Sequence, residues 1–90
     1  MEFEWDADKS ASNLSKHGVS FGEAMTVFSD ELEVTIPDPV HSNVELRFVS
    51  IWLSNAGRIL VVSYTERDQR IRLISAREAA PKECRQYESK

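Results

Sequence analysis

Apolar residues recur at a helical interval near the start of this chain, at a strand interval through its middle, and at a helical interval again at its end. Ala7, Ala11 and Leu14 share one face of a helix that Asp6 or Asp8 can cap. It runs to about His17, and Gly18 fits the left-handed position that ends it. Lys9, Asn13 and Lys16 fall on the opposite, solvent-facing side, with His17 beside them. Ser20-Phe21-Gly22-Glu23 reads as a capping box, serine and glutamate each satisfying a free amide of the other. Phe21, Ala24, Met25 and Phe28 then stand at i, i+3, i+4 and i+7, the core stripe of a second short helix. The opening Phe3–Trp5 is a short apolar segment, suited to a strand or a simple anchor.

After Asp30 the period shortens. Leu32–Ile36 alternates and stops at Pro37-Asp38-Pro39, which predicts a strand and then a loop through Ser42-Asn43. Leu46–Leu53 and Arg58–Tyr64 predict two longer strands joined by a hairpin at Ser54-Asn55-Ala56-Gly57. Arg67-Asp68-Gln69 makes the next turn, and Arg70–Ala76 predicts a further strand in which Arg70 and Arg72 take one face, Ile71 and Leu73 the other. Pro81 suits the first turn of a last helix to about Glu88, with Ala80, Cys84 and Tyr87 as its apolar stripe.

This order predicts an α+β domain of two N-terminal helices, an antiparallel sheet of three or four strands and a C-terminal helix, all within one domain over 1–90. Ninety residues suffice for one modest core and not for two. No apolar run approaches the roughly 20 residues that span a bilayer, and the acidic opening does not have the pattern of a secretory signal. Cys84 is the one cysteine, so no intrachain disulfide forms. A cytoplasmic protein is the expectation.

The net charge of −4 hides an asymmetry. Residues 1–46 carry ten carboxylates against two lysines, giving −8; residues 47–90 carry nine Lys/Arg against five carboxylates, giving +4. A split of this kind favours a dipolar surface, one part suited to an anion and another to a basic partner. The overall acidity excludes general coating of nucleic acid, so any RNA or DNA contact is local.

Candidate chemistry lies mostly in the second half. His17 and His41 are distant, one cysteine remains and no metal-ligand spacing occurs, so neither metal nor other cofactor is expected. Three scattered glycines make no phosphate loop, and no motif surrounds any serine. Arginines, in contrast, punctuate Thr65–Arg77 at Arg67, Arg70, Arg72 and Arg77. Each offers a permanent charge and a planar fork that matches phosphate oxygens. With Arg58, Lys82, Glu83, Arg85 and Tyr87 they hold the groups that cleave RNA without metal: a base for the 2′-OH, a cation for the phosphorane, an acid for the leaving oxygen. Each also has a structural reading. Tyr87 shares a face with Cys84, Glu83 can pair with Arg77 at the strand–helix junction, and Lys9, Asn13 and Lys16 can be merely wet.

The chain resembles the BrnT family of type II toxins, within the wider RelE/ParE-like superfamily. The matching pieces are Phe3-Glu4-Trp5-Asp6, Lys9, Asn13 and Lys16-His17-Gly18-Val19-Ser20-Phe21, then Glu23-Ala24, Asp38-Pro39 and Arg47-Phe48. Gly57-Arg58, Thr65-Glu66-Arg67, Arg70-Ile71-Arg72-Leu73-Ile74-Ser75-Ala76-Arg77, Glu83 and Tyr87 complete them in the same order. The resemblance implies a RelE-like fold and a metal-independent endoribonuclease toxin. Its expected partner is an antitoxin of the BrnA type, whose ribbon-helix-helix portion binds operator DNA; toxin meets that DNA only through it. It also leaves room for a homodimer. Carried over, the catalytic residues are Arg67 and Arg77 for phosphate, Glu83 as base, and Tyr87 and His17 as contributors. RNA binding falls to Lys16, Arg58, Arg70, Arg72, Lys82 and Arg85. Two departures stand out: Ala80 where relatives often place a capping Ser or Thr, and an acidic balance where relatives are commonly basic. A non-catalytic antitoxin-binding co-repressor is the alternative that the same residues allow.

Overall fold

The computed structural model describes residues 2–29, 34–37 and 47–88, with Ser29 and residues 34–37 described by their backbone alone. It is an α+β fold, as the periodicities predict. The chain forms β1 (Glu2–Glu4), α1 (Ala7–His17), α2 (Phe21–Met25) with a 3-10 turn over Thr26–Ser29, β2 (Val34–Pro37), β3 (Arg47–Leu53), β4 (Ile59–Arg67), β5 (Arg70–Glu78) and α3 (Pro81–Glu88). Leu32, the loop after Pro37 through Asn43, His41 and Leu46 lie outside the described residues. Among the described residues one sheet of five strands runs β1-β5-β4-β3-β2. Four strands pair antiparallel as expected, and β1 adds a parallel edge, with Phe3 opposite Ile71.

Local chemistry sets the element ends. The Asp6 carboxylate accepts the Lys9 amide at 3.1 Å, and Gly18, at φ 70°, closes α1 through a bond from its amide to the Leu14 carbonyl. Ser20 caps α2 by accepting from the Glu23 amide at 3.0 Å. Asp68 and Gln69 both take positive φ, 53° and 65°, and so make the two-residue turn whose twist matches the β4–β5 hairpin. The core sits between the sheet and the segment around α2. Val19, Phe21, Ala24 and Val27 press on Leu60, Val62, Tyr64, Ile71, Leu73 and Ala76. Each large apolar side chain buried there contributes about 1.5–3 kcal/mol. Phe3, Phe28, Tyr64 and Phe48 extend it as an aromatic run, with successive centroids 5.5, 4.9 and 5.6 Å apart.

The first helix corrects an expectation. Its apolar stripe faces outward, Leu14 being 50% exposed, while Asn13 is its buried residue. β1 ends at Glu4, so beyond Arg72 the outer edge of β5 has no strand beside it among the described residues. Asn13 takes that place. Its Nδ2 donates to the carbonyls of Ala76 and Val19, each at 2.8 Å, and its Oδ1 accepts from the Ala76 amide at 3.1 Å. A primary amide mimics a peptide group, and this one satisfies the free edge as a strand would. Three hydrogen bonds in a buried place outweigh the burial of two alanines and a leucine, so the helix turns its polar side to the sheet.

Candidate functional site

A bulge in β5 aims the residues that matter. Ser63 pairs with Ser75 and Tyr64 with Leu73, so Ile74 is left over and the alternation of the strand shifts by one. Strict alternation would have put Ser75 and Arg77 on the core face with Ile71 and Leu73. After the bulge Ala76 turns inward at 1% exposure, and Ser75 and Arg77 turn to the face away from α2.

On that face Arg77 meets α3. Its Nη1 and Nη2 donate to Glu83 Oε1 and Oε2, both at 2.7 Å, a parallel two-bond fork. Glu83 Oε1 also accepts the Ala80 amide at 2.8 Å, the return half of a helix cap. The Arg77 fork holds the Glu83 carboxyl below the usual carboxylate range, burial opposes it, and the Ala80 amide adds to the lowering. The same pairing raises Arg77. Tyr87, one turn beyond Glu83, packs edge-on to Trp52 with centroids 4.8 Å apart and docks α3 on β3. Lys82 and Arg85 are exposed on this helix.

Arg58 faces inward instead. It donates to both oxygens of Glu23, through Nη2 to Oε1 and through Nε to Oε2 at 3.0 Å, and reaches Glu78 and the Gly18 carbonyl at 3.0 Å each. Ser54 donates to Glu23 at 2.7 Å. The Glu23 carboxylate thus leaves its expected return to Ser20 and ties α2 to the β3–β4 hairpin. The Arg58 bond lowers Glu23, against desolvation, and Ser54 adds to the lowering; Arg58 itself is raised.

The remaining arginines stand elsewhere on the sheet. Arg67 opposes Arg70 at the β4–β5 turn, and Arg72 opposes Thr65. Three two-residue repeats separate the Arg67 level from that of Arg77, about 20 Å along the strand at about 3.4 Å per residue. The two arginines expected to share one anion pocket therefore share a face but do not meet. Arg70 pairs with Glu2 at 3.2 Å and Arg72 with Glu4 at 2.7 Å, holding the short β1 in place.

A cleft of about 210 Å³ opens where α1 meets the bulge, lined by Lys9, Ser12, Asn13, Lys16, His17, Ile74 and Ser75. Ser75 and Arg77 are two residues apart on one strand face, about 7 Å, which sets the Arg77–Glu83 pair beside this cleft. Lys16 and His17 are expected site residues that the fold brings here; Lys9, Ser12 and Ser75 join them unforeseen. The signal was the Lys9–Ser12–Lys16 spacing of i, i+3, i+7, one helical stripe. Among the described residues no three His, Cys, Asp or Glu side chains are placed to hold a metal ion. Nor, among them, is any helix long and apolar enough to cross a membrane.

Comparisons with known proteins find both a family and a similar fold. Residues 5–83 match the model of a family described as the ribonuclease toxin, BrnT, of type II toxin-antitoxin systems. The fold is similar to a crystal structure of the Brucella abortus ribonuclease toxin, BrnT, with TM-score 0.66 and 24% identity, covering 89% of this chain and 97% of that one. No sequence among curated proteins matches.

Proposed function

The chain belongs to the BrnT family of ribonuclease toxins of type II toxin–antitoxin systems, and from that premise we propose that it is itself an endoribonuclease, working in the cytoplasm without a metal ion. The observation that carries the reading is the Arg77–Glu83 fork, beside a cleft edged by Lys9, Lys16 and His17.

The geometry suits attack of a ribose 2′-OH on its own phosphodiester. An incoming phosphate competes with Glu83 for the planar fork of Arg77, since both offer two oxygens at the same spacing. Once Arg77 turns to the phosphate, the main cause of the Glu83 lowering is gone and the carboxylate becomes a stronger base. Glu83 then takes the 2′ proton, Arg77 stabilises the charge of the phosphorane, and His17 protonates the departing 5′ oxygen. Tyr87 positions α3 through Trp52. Lys82 and Arg85 attract the RNA strand beyond the scissile bond, while Arg67, Arg70 and Arg72 stand farther along the sheet from Arg77.

Type II membership implies a protein antitoxin. We assign it to the BrnA type, with a ribbon-helix-helix portion that carries the complex, and any toxin homodimer within it, to operator DNA. Digestion of bulk RNA by purified protein tests the enzyme. Cleavage by wild type and its loss in Arg77→Ala support the proposal. No cleavage by wild type, with growth unaffected on expression without antitoxin, leaves a non-catalytic co-repressor instead. The reading frame beside the gene, if it encodes a small ribbon-helix-helix protein, supports the partner.

A further inference from the structure

Positive charge on this surface is distributed unevenly. Arg58, Arg70, Arg72 and Arg77 each hold a carboxylate. Lys9, Lys16 and His17 hold none among the described residues, yet they stand on adjacent stripes of α1 around a single cleft. Lys9 and Lys16 stand two turns apart on α1, about 10 Å along its axis at about 1.5 Å per residue, and both border the cleft. The cleft floor is rigid. Asn13 is 6% exposed and bonded at three points, so α1 cannot roll without breaking the edge of β5. Ser12 lines the cleft from α1 and Ser75 from β5. A fixed cavity with cations on one wall and hydroxyls on both suits a phosphate and its sugar.

We propose that this cleft is a substrate subsite, seating the phosphodiester next to the one that Arg77 engages, with Lys9 and Lys16 as its charge contacts and Ser12 and Ser75 as hydrogen-bond donors. The inference rests on the ribonuclease reading and adds residues to it. It also assigns the expected RNA contacts differently: the strand runs along α1 and the bulge, not down the arginine column toward Glu2 and Glu4. Single-stranded RNA fits such a track, because a cationic groove follows its backbone without regard to sequence.

The test separates binding from cleavage. A short 2′-O-methylated RNA oligonucleotide lacks the attacking hydroxyl, so it binds without being cut. Its affinity is measured by fluorescence anisotropy across a salt series, and its position by amide chemical shifts. The Lys9→Gln/Lys16→Gln variant, both side chains exposed, is compared with Arg70→Gln at the far end of the sheet, and thermal melts check that each folds. The expected result is a loss of roughly tenfold or more for the lysine variant. With it goes a fall in salt slope of about 1.4, from two lost contacts at about 0.7 each for a single strand. Shifts should gather at Lys9, Lys16, His17 and Ser75, and Arg70→Gln should bind as wild type does. Unchanged affinity in the lysine variant, shifts confined to β1 and the β4–β5 turn, or no binding by wild type overturns the subsite. A chain that binds the oligonucleotide here but never cleaves RNA keeps the subsite and loses the enzyme. One that cleaves RNA equally well without the two lysines does the reverse.

Discussion

Glu83 grips Arg77 through two parallel hydrogen bonds of 2.7 Å while accepting the Ala80 amide at 2.8 Å. One carboxylate therefore ties the end of β5 to the start of α3 and fixes the direction of the Arg77 guanidinium. If Arg77 carries transition-state charge, Arg77→Ala lowers the rate of RNA digestion by roughly 10²-fold or more. Arg77→Lys keeps the charge but not the fork, so most of the loss remains. A lysine variant with more than half of wild-type activity removes the fork from the mechanism.

Two carboxylates make the fold acid-sensitive. Glu23 and Glu83 are both held below their ordinary range, chiefly by Arg58 and Arg77. A lowered folded-state pKa stabilises the fold fully above the unfolded value of about 4.3, and that contribution is lost as pH falls through the lower folded values. The urea midpoint should hold steady from pH 7 to 5 and fall below about 4.3. Glu23→Gln/Glu83→Gln should show a lower midpoint at pH 7 and a shallower fall in acid. Parallel acid limbs for variant and wild type would exclude these two groups as the cause.

Asn13 serves β5 as a substitute strand, and its removal leaves two carbonyls and an amide without partners. Asn13→Ala should cost about 3 kcal/mol, a large share of the 5–15 kcal/mol of a typical domain. Asn13→Asp keeps the shape but turns both donated bonds into repulsions between oxygens, so it should be no better. Thermal melts of the two variants decide the matter; an Asp variant near wild type would show that the amide donors are dispensable.

Elements built from neighbouring residues were legible in the sequence: the caps at Asp6, Gly18 and Ser20, the Ser54–Gly57 hairpin, the helix begun by Pro81. Contacts between distant segments were not. Nothing local marks Ile74 as the bulged residue, because IRLISAR alternates well enough without one; only pairing with Ser63 and Tyr64 shows the shift that frees Arg77 from the core. Asn13 looked wet because its partner, Ala76, lies 63 positions away. Glu23 left its cap for Arg58, 35 positions on, since an ionic partner offers more than a backbone amide. The clustering of arginines in sequence was a poor guide for the same reason: a strand carries near neighbours apart at about 3.4 Å per residue.

Gln69 stands at φ 65°, a conformation that costs a residue with a Cβ about 1 kcal/mol. The second position of this turn favours glycine. Gln69→Gly should raise stability by about 0.5–1 kcal/mol despite the greater freedom glycine gives the unfolded chain. The midpoint of urea unfolding reports it, with an unchanged slope. A fall in midpoint would mean that entropy of the unfolded state outweighs relief of the backbone.

Ala80 is the cap position of α3, its carbonyl accepting the Cys84 amide at 2.9 Å and its own amide held by Glu83. The return half of the cap is present, and the forward half is missing because alanine has no oxygen to receive the Glu83 amide. Ala80→Ser supplies that oxygen at an exposed position where no neighbour need move. It should add about 0.5–1 kcal/mol, which for a chain of this size raises the melting temperature by roughly 2–8 °C. Because the Glu83 carboxylate keeps both bonds to Arg77, RNA cleavage should not change. Serine is the better choice over aspartate, whose charge would sit beside Glu83 and return part of the gain. A melting temperature equal to that of wild type would mean that Glu83 alone already closes this helix end.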